Sequence, residues 1–102
     1  MDKENAVKSL KSYLNFLIEN KINVKEAYLF GSYANGSYTD DSDMDLAIVI
    51  GGIKNRFEMQ VKLMIMRRKN ESIIEPHPFS EEDFNSYYPF AEEIKRTGIR
   101  IL

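Results

Sequence analysis

Two acidic residues two positions apart, Asp43 and Asp45, bracket the start of an apolar run, MDLAIVI. On a β-strand, side chains at i and i+2 leave the same face, so these two carboxylates point the same way. Their oxygens can hold a divalent cation between them. Ten residues ahead of Asp43, the pair Gly31-Ser32 ends another apolar run, VKEAYLF. A Gly-Ser turn at a strand end offers backbone N–H groups and a hydroxyl to phosphate. Either feature alone is weak, because most Gly-Ser pairs are only turns and acidic residues often begin strands. Together, in GSYANGSYTDDSDMD, they combine a phosphate grip with cation-binding carboxylates, which is nucleotide chemistry.

The elements that must position these residues follow from periodicity. Val7, Leu10, Leu14, Leu17 and Ile18 recur at helical spacing and predict a helix over 3–20, with Asp2 as N-cap and Asn20 as its stop. Strands are predicted over 24–30 and 44–50, joined by a helical turn at 32–36 and a polar loop at 37–42. In the second strand Met44, Leu46, Ile48 and Ile50 share one face; Asp43, Asp45, Ala47 and Val49 share the other. A helix is predicted over 54–69 with Phe57, Val61, Met64 and Ile65 on its buried side, and with Arg67, Arg68 and Lys69 complementing its dipole. Residues 72–77, SIIEPH, read as a strand whose prolines place its far end at a sheet edge. Ser80 caps a short acidic helix, Pro89 starts a last helix that stops at Gly98, and IRIL reads as a short terminal strand. The fold class expected is α/β (α+β): a small mixed sheet with helices packed on one face and the other face partly open.

Composition narrows the function. The 102 residues suggest one domain spanning 1–102, which buries roughly 60–70% of its unfolded surface. With 43% hydrophobic and 29% charged residues, a folded chain fits and disorder does not. A net charge of -2 disfavours nucleic acid, whose binding rests on many Lys and Arg contacts to phosphate. The absence of cysteine excludes disulfides, thiolate metal sites and a Cys nucleophile. No apolar run approaches the roughly 20 residues of a membrane span, and MDKENAVK does not read as a signal peptide. A cytoplasmic location is expected, with no membrane partner.

The stretch GSYANGSYTDDSDMD resembles the signature of the polymerase-beta-like nucleotidyltransferases: Gly-Ser, ten residues, Asp-x-Asp. The small size resembles the minimal nucleotidyltransferase (MNT) family within that superfamily, whose members are often encoded beside HEPN-domain proteins as toxin–antitoxin pairs. The likeness runs from LFGS through SDMDLAIVI to IEPHPF and EEIKRTGIRIL. It implies the polymerase-beta-like fold, with Gly31 and Ser32 holding the triphosphate of ATP or another NTP. It implies two Mg²⁺ ions on Asp43 and Asp45, about 3.5–4 Å apart as in other two-metal sites. It also implies a third carboxylate from a neighbouring strand. Glu75 is the candidate, since by alternation it shares a face with Ile73 and His77 while Ile74 points to the core. Metal activation of the attacking hydroxyl would make a dedicated protein base unnecessary. Two positions depart from the family's pattern: Asn35 stands where many members have Arg or Lys, and the third acid is Glu where Asp is commoner.

The activity implied is transfer of a nucleoside monophosphate, AMP from ATP, to a hydroxyl, with release of pyrophosphate. A chain this short has no room for a primer-binding module or for the helical domain of antibiotic nucleotidyltransferases. The acceptor is therefore expected on a HEPN-type partner protein, with this chain as the antitoxin. Three other readings stay open: a non-catalytic module that neutralises a partner by occlusion, a nucleotide-sensing regulator, and a small-molecule nucleotidyltransferase.

Other residues carry two readings each. His77, the single histidine, is a general base, or else an orienting or a solvent-facing side chain. Tyr33 and Tyr38 stack on a base or pack. Ser42 holds Asp43 or shapes the loop. Met59 and Met64 fill core; Met66 lies on the same helix. Asp40 and Asp41 are solvated charges that add to the negative field. Tyr87, Tyr88 and Phe90, with the possible free edge of IRIL, suggest a surface for a second copy or a HEPN protein.

Overall fold

A computed structural model describes residues 2–39, 41–85 and 89–102. Asp40, Tyr87 and Tyr88, and the expectations placed on them, lie outside the described residues. The order is α1 (Lys3–Glu19), β1 (Val24–Phe30), α2 (Ser32–Asn35), β2 (Met44–Ile50), α3 (Arg56–Ile65), β3 (Ile74–Phe79), α4 (Glu81–Asn85), α5 (Pro89–Thr97) and β4 (Ile99–Arg100). The strands form a mixed sheet in the order β3-β2-β1-β4. β1 runs antiparallel to β2 and β4, and β2 runs parallel to β3.

The caps act as their residue types predict. Asp2 accepts from the Asn5 N–H at 2.8 Å and starts α1; Ser80 accepts from the Asp83 N–H at 3.0 Å and starts α4. α1 lays Ala6, Leu10, Tyr13, Leu14 and Leu17 on one sheet face, against Leu29, Met44, Leu46, Ile48 and Ile50. The buried Tyr13 hydroxyl donates to the Leu63 carbonyl at 2.6 Å and ties α1 to α3. Burial, with the nearby Glu71 carboxylate, pushes that phenol's pKa up.

β3 is an edge strand, and α3 closes its free side. The Met44 N–H donates to the Ile73 carbonyl, so by parallel alternation the Ile74, Pro76 and Pro78 carbonyls face outward. Each receives a side chain from α3 or the turn after it: Arg67 Nη1 reaches Ile74 at 3.0 Å, Gln60 Nε2 reaches Pro76 at 3.3 Å, and Arg56 Nε reaches Pro78 at 2.7 Å. The two prolines present no N–H on that side. The edge is left with few groups for another strand to pair with.

Three expectations need correction. α3 is shorter than 54–69: Asn55 caps it at Glu58 N–H, and Arg67, Arg68 and Lys69 lie beyond its end. Arg67 instead bonds the Met64, Ser72 and Ile74 carbonyls, and Arg68 turns to the buried Glu71 carboxylate at 2.7 Å. Phe57, Val61, Met64 and Ile65 are exposed, not buried; Leu63 is the buried residue of α3, with Met59 and Met66 packed beside it. The helix is apolar on two sides, and periodicity could not tell which one meets the sheet. The helix cover also differs from a single face. Phe84 of α4 and Ala91 and Ile94 of α5 pack on Tyr28, Ala47, Val49 and Phe79, on the face opposite α1. The mixed sheet itself is as expected.

Candidate active site

Cross-strand register builds the site one row at a time. Phe30 of β1, Asp45 of β2 and Glu75 of β3 are direct partners, so their side chains stand in a line across one sheet face. The next row is Tyr28, Ala47 and His77. Further along come Val49 and Phe79, under α4 and α5. One sheet face is thus apolar and covered at one end, and carries carboxylates in the open at the other.

Asp45, Glu75 and His77 are all partly buried and offer ligand-type atoms that lie within 4.8 Å of one another. His77 Nε2 is 3.1 Å from Asp45 Oδ1 and 4.0 Å from Glu75 Oε1. The edge of Phe30 packs on the imidazole, with ring centroids 5.2 Å apart. Held from both sides, the His77 side chain is 23% exposed and turned to the Asp45 carboxylate. A nitrogen and two carboxylates converging at this separation suit a divalent cation. Asp43 is exposed, immediately ahead of β2, and is not in this group. Alternation alone placed Asp43 and Asp45 together; the strand begins between them, at Met44. Sequence reading placed His77 on the Glu75 face but did not foresee its contact with Asp45. That signal was available in the period of two, once β3 pairs in parallel with β2.

Gly31 covers Asp45. At the end of β1 the chain turns with φ 77° at Gly31, and a Cβ there would lie 2.5 Å from Asp45 Oδ2. The Gly31 carbonyl accepts from the Ala34 and Asn35 N–H groups, which opens α2 at Ser32. The first N–H groups of such a turn have no partner within it. Tyr33 is buried beneath and stacks on Tyr38 at 4.4 Å, so both rings pack. Asn35 Oδ1 accepts from the Ser37 N–H and hydroxyl, which closes the turn at Gly36. Ser42 accepts from the Thr39 N–H at 2.9 Å and so shapes the loop. Beside Gly31 opens a cleft of about 310 Å³ between α2 and α5, lined by Phe30, Ala34, Asn35, Phe90 and Thr97. The Asp45 row, the Gly31 turn and this cleft are contiguous.

Comparison with known proteins shows the family. The family model described as "Polymerase beta, Nucleotidyltransferase" matches residues 11–102. The chain is 26% identical over 98 residues to "Putative protein adenylyltransferase MJ0141" of Methanocaldococcus jannaschii, spanning 93% of this chain and 94% of that protein. It is 44% identical over 46 residues to "Putative protein adenylyltransferase MJ0604" of the same organism; that match spans 44% of this chain and 46% of the relative, less than half the length of either. The crystal structure of a putative nucleotidyltransferase from Sulfolobus solfataricus superposes with a TM-score of 0.71 at 25% identity, covering 96% of this chain and 80% of that one.

Proposed function

We propose, for a chain that belongs to the polymerase beta nucleotidyltransferase family, that it moves AMP from ATP to a hydroxyl of a partner protein. The observation that carries this reading is the row Phe30, Asp45 and Glu75, with Gly31 so near the Asp45 carboxylate that a Cβ there would stand 2.5 Å from Oδ2. Asp45, Glu75 and His77 would hold a divalent cation, with Asp43 completing a two-Mg²⁺ site. Bound there, the cation would neutralise phosphate charge and lower the pKa of the attacking hydroxyl. Gly31 and Ser32 take the phosphate tail on N–H groups and the Ser32 hydroxyl. The acceptor oxygen bonds to the α-phosphorus, the bond to the pyrophosphate oxygen breaks, and the hydroxyl proton leaves to water.

A folded acceptor that docks on this chain would bring its hydroxyl to the α-phosphate already oriented. Two relatives named for protein adenylyltransfer favour a protein acceptor. A HEPN-type toxin is the partner proposed, with this chain as its antitoxin in the cytoplasm, where ATP is supplied. Among the described residues, no helix is long and apolar enough to cross a membrane. Mass spectrometry of a HEPN protein co-expressed with this chain tests the reading. A mass gain of one or more AMP units, lost with Asp43→Ala, is expected; a tight but unmodified complex under Mg²⁺ and ATP would favour neutralisation by occlusion.

Ser32 gives a graded test of the phosphate grip. Ser32→Ala removes the hydroxyl and leaves the backbone N–H, so the KM for ATP should rise by roughly tenfold, the worth of one hydrogen bond to a charged group. Ser32→Glu adds repulsion against the triphosphate and should weaken binding further. An unchanged KM in Ser32→Glu would take Ser32 away from the phosphates.

A further inference from the structure

We propose that the outward face of α3 is the docking surface for the partner protein, which meets it with an amphipathic helix whose apolar stripe is bordered by Asp and Glu. This rests on the reading that the acceptor is a protein. Phe57, Val61, Met64 and Ile65 are 75%, 40%, 40% and 76% exposed. Spaced i, i+4, i+7 and i+8, they form one stripe roughly 12 Å long. None of them is needed by the fold. Met59, Leu63 and Met66 face the core, while Arg56, Gln60 and Arg67 face the edge of β3. Single exposed apolar residues are ordinary, but four in a line on one helix mark a contact.

Charge says what covers the stripe. Residues 54–69 hold six cations (Lys54, Arg56, Lys62, Arg67, Arg68 and Lys69) and one anion, Glu58, a net +5 in a chain of net -2. The rest of the chain therefore carries -7. Lys54, Lys62 and Lys69 are exposed around the stripe. A second copy crossing antiparallel at Val61 would bring Phe57 to Ile65, and would also bring the exposed lysines that border one stripe, Lys54 and Lys62, against those of the other. A flat anionic bilayer would meet the acidic remainder of the molecule as well as α3. A narrow acidic helix meets α3 alone. Its place is also favourable: α3 runs back along β3, and Arg67 bonds Ile74, the residue before Glu75.

The test uses the whole chain and a fluorescein-labelled helical peptide with leucines at i, i+3, i+4 and i+7 flanked by glutamates, read by anisotropy. A copy with lysine for glutamate, and phosphatidylserine vesicles, serve as comparisons. The glutamate peptide should bind, should lose affinity as salt rises, and should bind at least tenfold more weakly to Ile65→Glu and to Lys62→Glu. Circular dichroism should show both variants folded, since both side chains are exposed. Equal binding to wild type and Ile65→Glu, no preference for glutamate over lysine, or no peptide binding would overturn the proposal. So would Ile65-dependent capture on vesicles, or a doubled mass lost in Ile65→Glu. Peptide binding should survive Asp45→Asn, so a chain that docks the peptide and never transfers AMP defeats the transfer reading alone. Transfer to a partner undiminished in Ile65→Glu defeats the docking surface alone.

Discussion

Asp45→Asn will lower nucleotidyl transfer by about 10³-fold while the protein stays folded. Asparagine keeps the shape of the side chain and an oxygen for His77 Nε2, now 3.1 Å away from the carboxylate, and removes only the charge. A cation stabilises the developing phosphate charge by several kcal/mol, and about 4 kcal/mol is roughly 10³ in rate. Stability should hold or rise slightly, because two carboxylates in one row repel in the absence of a cation. The Asp45 side chain is 29% exposed, so the core loses no packing. Thermal melts and transfer assays on the same preparation check both halves. Asp43→Ala adds a contrast: a loss of similar size places Asp43 on the metals despite its exposed position. Full activity would reduce the site to Asp45, Glu75 and His77.

Gly31→Ala and Gly36→Ala should separate backbone strain from damage to the site. Both glycines have left-handed φ, 77° and 82°. An L residue there costs roughly 1–3 kcal/mol, so both variants should melt lower. Gly36 has open space where a Cβ would go, and its variant should transfer normally once folded. At Gly31 the Cβ would stand 2.5 Å from Asp45 Oδ2, and either the carboxylate or the turn must move. A displacement of about 1 Å at reacting groups costs on the order of 10²-fold. Transfer by Gly31→Ala should therefore fall about that far, with stability close to that of Gly36→Ala. Equal transfer in the two variants would mean that the contact with Asp45 does not matter.

Much of this was legible in the sequence where one local rule sufficed. Asp2 and Ser80 announce helix starts by type; Asp-x-Asp at the head of an apolar run marks β2; alternation puts Ile74 inward and Glu75 outward. The remainder depended on facts that no local pattern holds. Which side of α3 meets the sheet is decided by what the sheet offers, and a helix apolar on two sides gives no answer until packed. Asp43 and Asp45 share a parity, yet the strand begins at Met44, so the first carboxylate lies outside the regular alternation. The contact of His77 with Asp45 depends on the parallel register of β3 on β2, a pairing between residues thirty-two apart in the chain. The cover of the second face by α4 and α5 rests on Phe84, Ala91 and Ile94, three apolar residues in segments dominated by charge.

The central claim is that this site passes the α-phosphate of ATP, with its nucleoside, to a protein. Parallel incubations of the chain and its co-expressed partner with ATP labelled at the α- or the γ-phosphate, in Mg²⁺, test it directly. Protein-bound label is expected from the α-position only, with pyrophosphate released in equal amount, and neither with Asp45→Asn. Protein-bound label from the γ-position, or ATP bound with no covalent label from either position, would contradict it.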